Sequence, residues 1–124
     1  MTQTMTAASG PSLSSADGTA IPAIGFGTSQ MSNKVTTDAV VAALKAGYRH
    51  IDTARKYGSE PAVGAALKAA GVPRDDIFIT TKVSHENLRP DDFARSVDES
   101  LAALGIDSID LLLVHWPNPA IPVR

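Results

Sequence analysis

The chain contains no cysteine. That excludes disulfides, thiolate metal sites and a cysteine nucleophile together, and it fits a reducing compartment. An excess of one charge is missing too: 11 Lys and Arg stand against 13 Asp and Glu, for a formal net charge of -2. Neutralising phosphates requires a basic face, so nucleic acid is not an expected partner. No apolar run approaches the roughly 20 residues that span a bilayer, so no membrane is expected either. The segment from Met1 to Ser15 is rich in Ser, Thr and Ala. It lacks the basic region and apolar stretch of a secretion signal. Residues 1–11 read as a flexible leader, and the protein as cytoplasmic.

What remains is an ordinary globular composition, 44% hydrophobic and 19% charged over 124 residues. That is enough for one domain with a real core, burying roughly two thirds of the surface its unfolded form exposes. The elements follow in order. Ala16-Asp17-Gly18 lies between Ser12–Ser15 and Thr19–Ile21, a hairpin signal, because Asp and Gly tolerate positive φ. The short apolar run Ile21–Thr28 contains two glycines, which mark a close approach to the backbone.

Thr36-Thr37-Asp38 is the predicted cap of a helix lined by Val40, Ala43 and Leu44 and stopped by Gly47. A strand over Tyr48–Thr53 leads to a second helix opened by Ser59-Glu60-Pro61 and ended by Gly71 and Pro73. Ile77–Val83 is β-branched and aromatic, hence a strand. Pro90-Asp91-Asp92 opens a third helix with Phe93, Val97, Leu101 and Leu104 on one face, closed by Gly105. Ile109–Trp116 is a further strand whose continuous apolar run predicts burial on both faces. Alternating strands and helices imply an α/β fold with parallel strands and right-handed crossovers.

In parallel α/β folds function gathers at the carboxyl ends of strands. Here those ends carry Thr28, Asp52 with Tyr57 in the following loop, Lys82 and His115. Taken singly, each has a plain structural reading, as a turn residue, a packed ring, a solvated lysine or a core histidine. Taken together they form one chemistry. A buried lysine needs a carboxylate, which Asp52 can supply. An ammonium beside a phenol makes Tyr57 a stronger general acid. A neutral histidine can orient a carbonyl oxygen. The set suits proton delivery to a carbonyl that receives a hydride. It contains no nucleophile with an adjacent base. His50 and Asp52 share a strand face, but two ligands are too few for a metal, so none is expected. His50 and His85 read as structural.

These residues resemble the aldo-keto reductase family. Gly47-Tyr48-Arg49-His50-Ile51-Asp52-Thr53-Ala54, followed by Tyr57-Gly58-Ser59-Glu60 and Val63-Gly64, is similar to that family's first signature. Ile79-Thr80-Thr81-Lys82 and Leu113-Val114-His115-Trp116-Pro117 are similar to its lysine and histidine strands. Gly71-Val72-Pro73-Arg74 and His115–Pro119 resemble most the 2,5-diketogluconate and methylglyoxal reductase branch. The resemblance implies a (β/α)8 TIM barrel plugged by the N-terminal hairpin. Residues 12–124 would form its N-terminal half, the hairpin and first four strands.

The resemblance also implies NADPH-dependent reduction of an aldehyde or ketone, a small carbonyl substrate, to an alcohol. Tyr57 would be the proton donor, tuned by Lys82 and Asp52, with His115 orienting the carbonyl. Thr28 and Asp52 would touch the nicotinamide end of the cofactor, and Trp116 would wall the substrate pocket. Ser29 replaces an aromatic residue found in many members, which implies a wider pocket mouth. The family needs eight strands and barrels of this kind run to about 250 residues, so this chain is expected to be a half-barrel with little activity alone. Two alternatives stand beside the enzyme: a non-enzymatic, cofactor-sensing or interaction half-barrel, a role filled by barrels similar to potassium-channel β-subunits, and self-association through open strand edges. A metal-dependent barrel hydrolase is disfavoured, since the first barrel strand lacks a His-x-His pair.

Overall fold

The structure, a computed structural model, describes residues 10–122. Of the leader expected over 1–11, residues 1–9 lie outside the described residues, as do 123 and 124. Strand β1 (Ser12–Ser14) pairs antiparallel with β2 (Ala20–Pro22) across the Asp-Gly turn. Gly18 takes φ 86°, which a side chain would strain. The Asp17 carboxylate accepts from the Thr19 N–H at 2.9 Å and from the Ser15 hydroxyl. These hydrogen bonds, that of Ser15 foremost, hold its carboxyl down to about 2.

The remaining strands form one parallel sheet in the order β3-β4-β5-β6. They are β3 (Phe26–Gly27), β4 (His50–Asp52), β5 (Phe78–Val83) and β6 (Leu111–Val114). Helices α1 (Asn33–Lys45), α2 (Glu60–Ala70) and α3 (Pro90–Leu104) connect them. One sheet face carries Ile51 and Ile79, and these are sealed by Val40 and Leu44 of α1, Val63 and Ala66 of α2, and Leu104 of α3. Fully burying a side chain of this size contributes about 1.5–3 kcal/mol, so this layer is the main source of stability. The opposite face carries His50, Asp52, Thr80 and Lys82, because side chains alternate along a strand.

His50 joins the hairpin to this sheet. Its Nδ1 lies 3.2 Å from the Pro22 carbonyl oxygen and its Nε2 2.8 Å from the Thr80 hydroxyl. Both ring nitrogens are therefore occupied by structural contacts. At the start of β5 and β6, Arg74 pairs with Asp110 at 2.7 Å, and the same carboxylate accepts from the Ile79 N–H at 2.7 Å. That contact fixes the parallel register.

Three expectations need correction. Helix α1 begins three residues before the predicted Thr36 cap: Ser32 is the N-cap and accepts from the Val35 N–H at 3.4 Å. Thr36 is instead buried within the helix, and Thr37 donates to the Ala62 carbonyl at 3.0 Å. On α3 the sealed positions are Ser96, Ser100 and Leu104. Phe93, Val97 and Leu101 are only half-buried. Small residues are needed there because α2 and α3 approach closely: a Cβ on Gly64 would stand 2.7 Å from the Ala103 carbonyl oxygen. Finally, β6 is not buried on both faces. It is an outer strand of the sheet, and Leu113 and Val114 remain 41% and 48% exposed.

Candidate active site

Strands β4 and β5 lie side by side in register, with Asp52 opposite Thr80. Lys82 therefore rises one step beyond Asp52 on the same face. Its ammonium has three protons to place. They go to Asp52 Oδ1 at 2.6 Å, the Thr53 carbonyl at 3.0 Å and the Tyr57 hydroxyl at 3.4 Å. The lysine side chain is 14% exposed, whereas that of Asp52 is 42% exposed. The ion pair is thus rooted in the sheet at one end and open at the other.

Tyr57 reaches this point because the chain leaves β4 through a short 3-10 turn, Arg55–Tyr57, capped by Gly58 at φ 73°. Glycine serves there because a left-handed cap is costly for other residues. The Lys82 ammonium also lies 5.2 Å from the Tyr57 ring centroid. His115 follows β6, where its N–H donates to the Val83 carbonyl at 3.0 Å. Its ring meets Tyr57 edge-on, 5.6 Å between centroids. Burial, then the positive charges of Lys82, Lys56 and His85, hold the His115 imidazole below its ordinary value, against the opposing effect of Asp52. His115 Nδ1 is buried without a partner among the described residues.

The structure thus brings together Asp52, Tyr57, Lys82 and His115. Trp116 joins them, its ring 4.4 Å from that of His115. Thr28 directly follows β3 and is fully buried, its hydroxyl 2.9 Å from the Thr53 hydroxyl and 3.2 Å from the Asp52 carbonyl oxygen, to which it can donate. Ser29 is exposed in the turn that follows.

Sequence reasoning missed two neighbours. His85 stacks on Trp116 with centroids 5.1 Å apart, and the Lys56 ammonium lies 5.7 Å from the Trp116 ring. Lys56 also reaches Glu86 at 3.5 Å. It holds the Glu86 carboxyl below its usual range, with help from the Ser84 hydroxyl. The signal was position: Lys56 precedes Tyr57, and His85 follows Lys82 by three residues.

A parallel sheet with helices on one face and a lysine, carboxylate, phenol and imidazole gathered at its strand ends defines a barrel-type α/β protein. The sequence matches the aldo/keto reductase family over residues 23–124, and the chain belongs to that family. It is 49% identical over 100 residues to methylglyoxal reductase DkgB of Escherichia coli O157:H7, covering 81% of this chain and 38% of the relative. A crystal structure of an aldo/keto reductase from Brucella melitensis superimposes with a TM-score of 0.86 at 45% identity, over 95% of this chain and 44% of that one. The Bombyx mori aldo-keto reductase in complex with NADP gives a TM-score of 0.82 at 38% identity, over 87% of this chain and 38% of that one. The chain spans about two fifths of the length of these relatives. Its four parallel strands correspond to part of their TIM barrel.

Proposed function

We propose that this chain provides the proton-delivery and carbonyl-orienting groups for NADPH-dependent reduction of small aldehydes and ketones to alcohols. The observation that carries this reading is the Lys82 ammonium bonded at once to Asp52 and to the Tyr57 hydroxyl. When bound, the nicotinamide supplies the hydride. Tyr57 gives its hydroxyl proton to the carbonyl oxygen as that oxygen gains negative charge. Lys82 donates to the phenol oxygen and stabilises the charge left there, in a site that needs no reorganisation at that moment. Asp52 fixes the ammonium. With His115 Nδ1 sealed, Nε2 is the nitrogen left to donate to the carbonyl oxygen and orient it.

Asp52 has surface to spare, since only Oδ1 is engaged by Lys82 and the side chain stays 42% exposed. A carboxylate suits the amide of a nicotinamide, so Asp52, beside Thr28 at the end of β3, would hold that end of the cofactor. NADP in the silkworm relative supports NADPH as the donor. The name of the Escherichia coli relative supports methylglyoxal as a first substrate to try. Trp116, braced by His85, would wall the pocket, and the small Ser29 would leave its mouth wide. The cysteine-free sequence supports a cytoplasmic setting.

The test joins this chain to the C-terminal remainder of the Escherichia coli relative and follows NADPH oxidation with methylglyoxal and a bulkier aldehyde. Substrate-dependent oxidation of NADPH is the expected result. A folded hybrid that binds NADPH but turns over neither aldehyde would contradict the proposal. A second reading, self-association of the chain, is favoured by the exposed Leu113 and Val114 on the outer strand β6. Light scattering on the 124-residue chain decides it: a species larger than one chain supports self-association, and a clean monomer removes it.

A further inference from the structure

Glu60 takes no part in the chemistry described above, yet it is a carboxylate sealed from water, 1% exposed. It forms no ion pair among the described residues. Its two oxygens are divided between two hydroxyls. Thr81 donates to Oε2 at 2.7 Å, and Ser100 donates to Oε1 at 3.0 Å. Glu60 is also the first residue of α2, where the helix dipole favours a negative group. An apolar residue of similar volume would fill this space without the cost of desolvating a carboxylate, so its presence calls for a role in geometry.

The placement supplies that role. Thr81 is next to Lys82 on β5, so their side chains leave opposite faces of the sheet. Glu60 is three residues beyond Tyr57, across the left-handed Gly58. The same two chain segments are therefore joined twice. In front, Lys82 Nζ meets the Tyr57 hydroxyl at 3.4 Å, and behind, Thr81 Oγ1 meets Glu60 Oε2 at 2.7 Å. The front contact is long and weak and cannot set its own distance. The rear one is short, charge-assisted and dry, and it can. Ser100 ties the same carboxylate to α3, which stops the pair from sliding together.

We propose that Glu60 is a positioning residue: through Thr81 and Ser100 it fixes the offset between Tyr57 and Lys82. The importance of that offset rests on the proposed reductase reading, but the test reads geometry and not turnover. Labelled 124-residue chain is compared with Glu60→Gln, Glu60→Ala, Thr81→Val and Ser100→Ala by NMR. One readout is the NOE between the Tyr57 ring and the Lys82 side chain. The other is the titration of His115, which faces Lys82, Lys56, His85 and Asp52 and meets the Tyr57 ring edge-on.

Glu60→Gln keeps both hydroxyl contacts by reversing one of them, and both readouts stay as in the parent. Glu60→Ala and Thr81→Val lose the NOE, and the His115 midpoint rises as Lys82 moves away. Ser100→Ala weakens the NOE without abolishing it. Thr81→Val is nearly isosteric and reads the same bond if Glu60→Ala fails to fold. A lower melting temperature in Thr81→Val with an unchanged NOE and an unchanged His115 titration would overturn the proposal and leave Glu60 a packing residue. A hybrid without reductase activity would contradict the proposed reaction and leave this comparison standing.

Discussion

Lys82 leaves one face of strand β5 and Glu60 of α2 lies against the other, and each is surrounded differently. Lys82 spends its three protons on a carboxylate, a carbonyl and a phenol, and its carboxylate partner stays open to water. Glu60, at the start of α2, accepts from two hydroxyls and is sealed from water. The same strand thus separates an ion pair that opens to water through its carboxylate from a carboxylate that does not.

Lys82→Met in the reassembled enzyme gives the largest effect. Turnover of methylglyoxal falls by about 10²- to 10⁴-fold, the range for a lost general-acid system. Its cost in stability is small, because the released Asp52 is 42% exposed and can be hydrated. Glu60→Ala should do the reverse in a denaturant melt of the 124-residue chain. It leaves two buried hydroxyls unpaired and costs about 2–4 kcal/mol. If Lys82→Met destabilises the chain more than Glu60→Ala does, the contrast between the two faces fails.

Gly64→Ala tests the packing that closes the rear face. The added methyl meets the Ala103 and Leu104 carbonyl oxygens at 2.7 and 2.8 Å. The same melt should show a loss of about 1–3 kcal/mol from overpacking. The smallest effect concerns pH on the front face. The folded midpoint of His115 lies below the ordinary 6.5. Being depressed, this group contributes stability that is fully present above the unfolded value and is lost as pH falls from there through the folded midpoint. NMR titration of His115 in the folded chain checks the sign, and a midpoint above 6.5 would contradict it.

Strands, helices and the four polar residues were legible in the sequence because each rests on local signals. Gly71 and Gly105 do end α2 and α3 in left-handed caps. Asp52, Lys82 and His115 stand at or beside the ends of adjacent parallel strands, with Tyr57 in the turn after the first, so a parallel topology alone was enough to bring them together. The start of α1 was not legible, because Ser32, Thr36 and Thr37 are all chemically fit to cap and only tertiary packing chooses among them. The face of α3 was misread for a related reason. Periodicity selected the large apolar residues, whereas the interface with α2 needs small side chains beside Gly64 and a hydroxyl for Glu60. The exposure of β6 depends on what lies beside the strand, which its own apolar run does not state.

Replacing Tyr57 by Phe in the hybrid isolates the proposed proton donor, because it removes one oxygen and leaves the ring contacts with Lys82 and His115 in place. The measurement is kcat and KM for methylglyoxal with NADPH, with NADPH binding recorded alongside. A fall in kcat of at least about a hundredfold is expected, with cofactor binding retained. Turnover that survives Tyr57→Phe at the parent rate would contradict it.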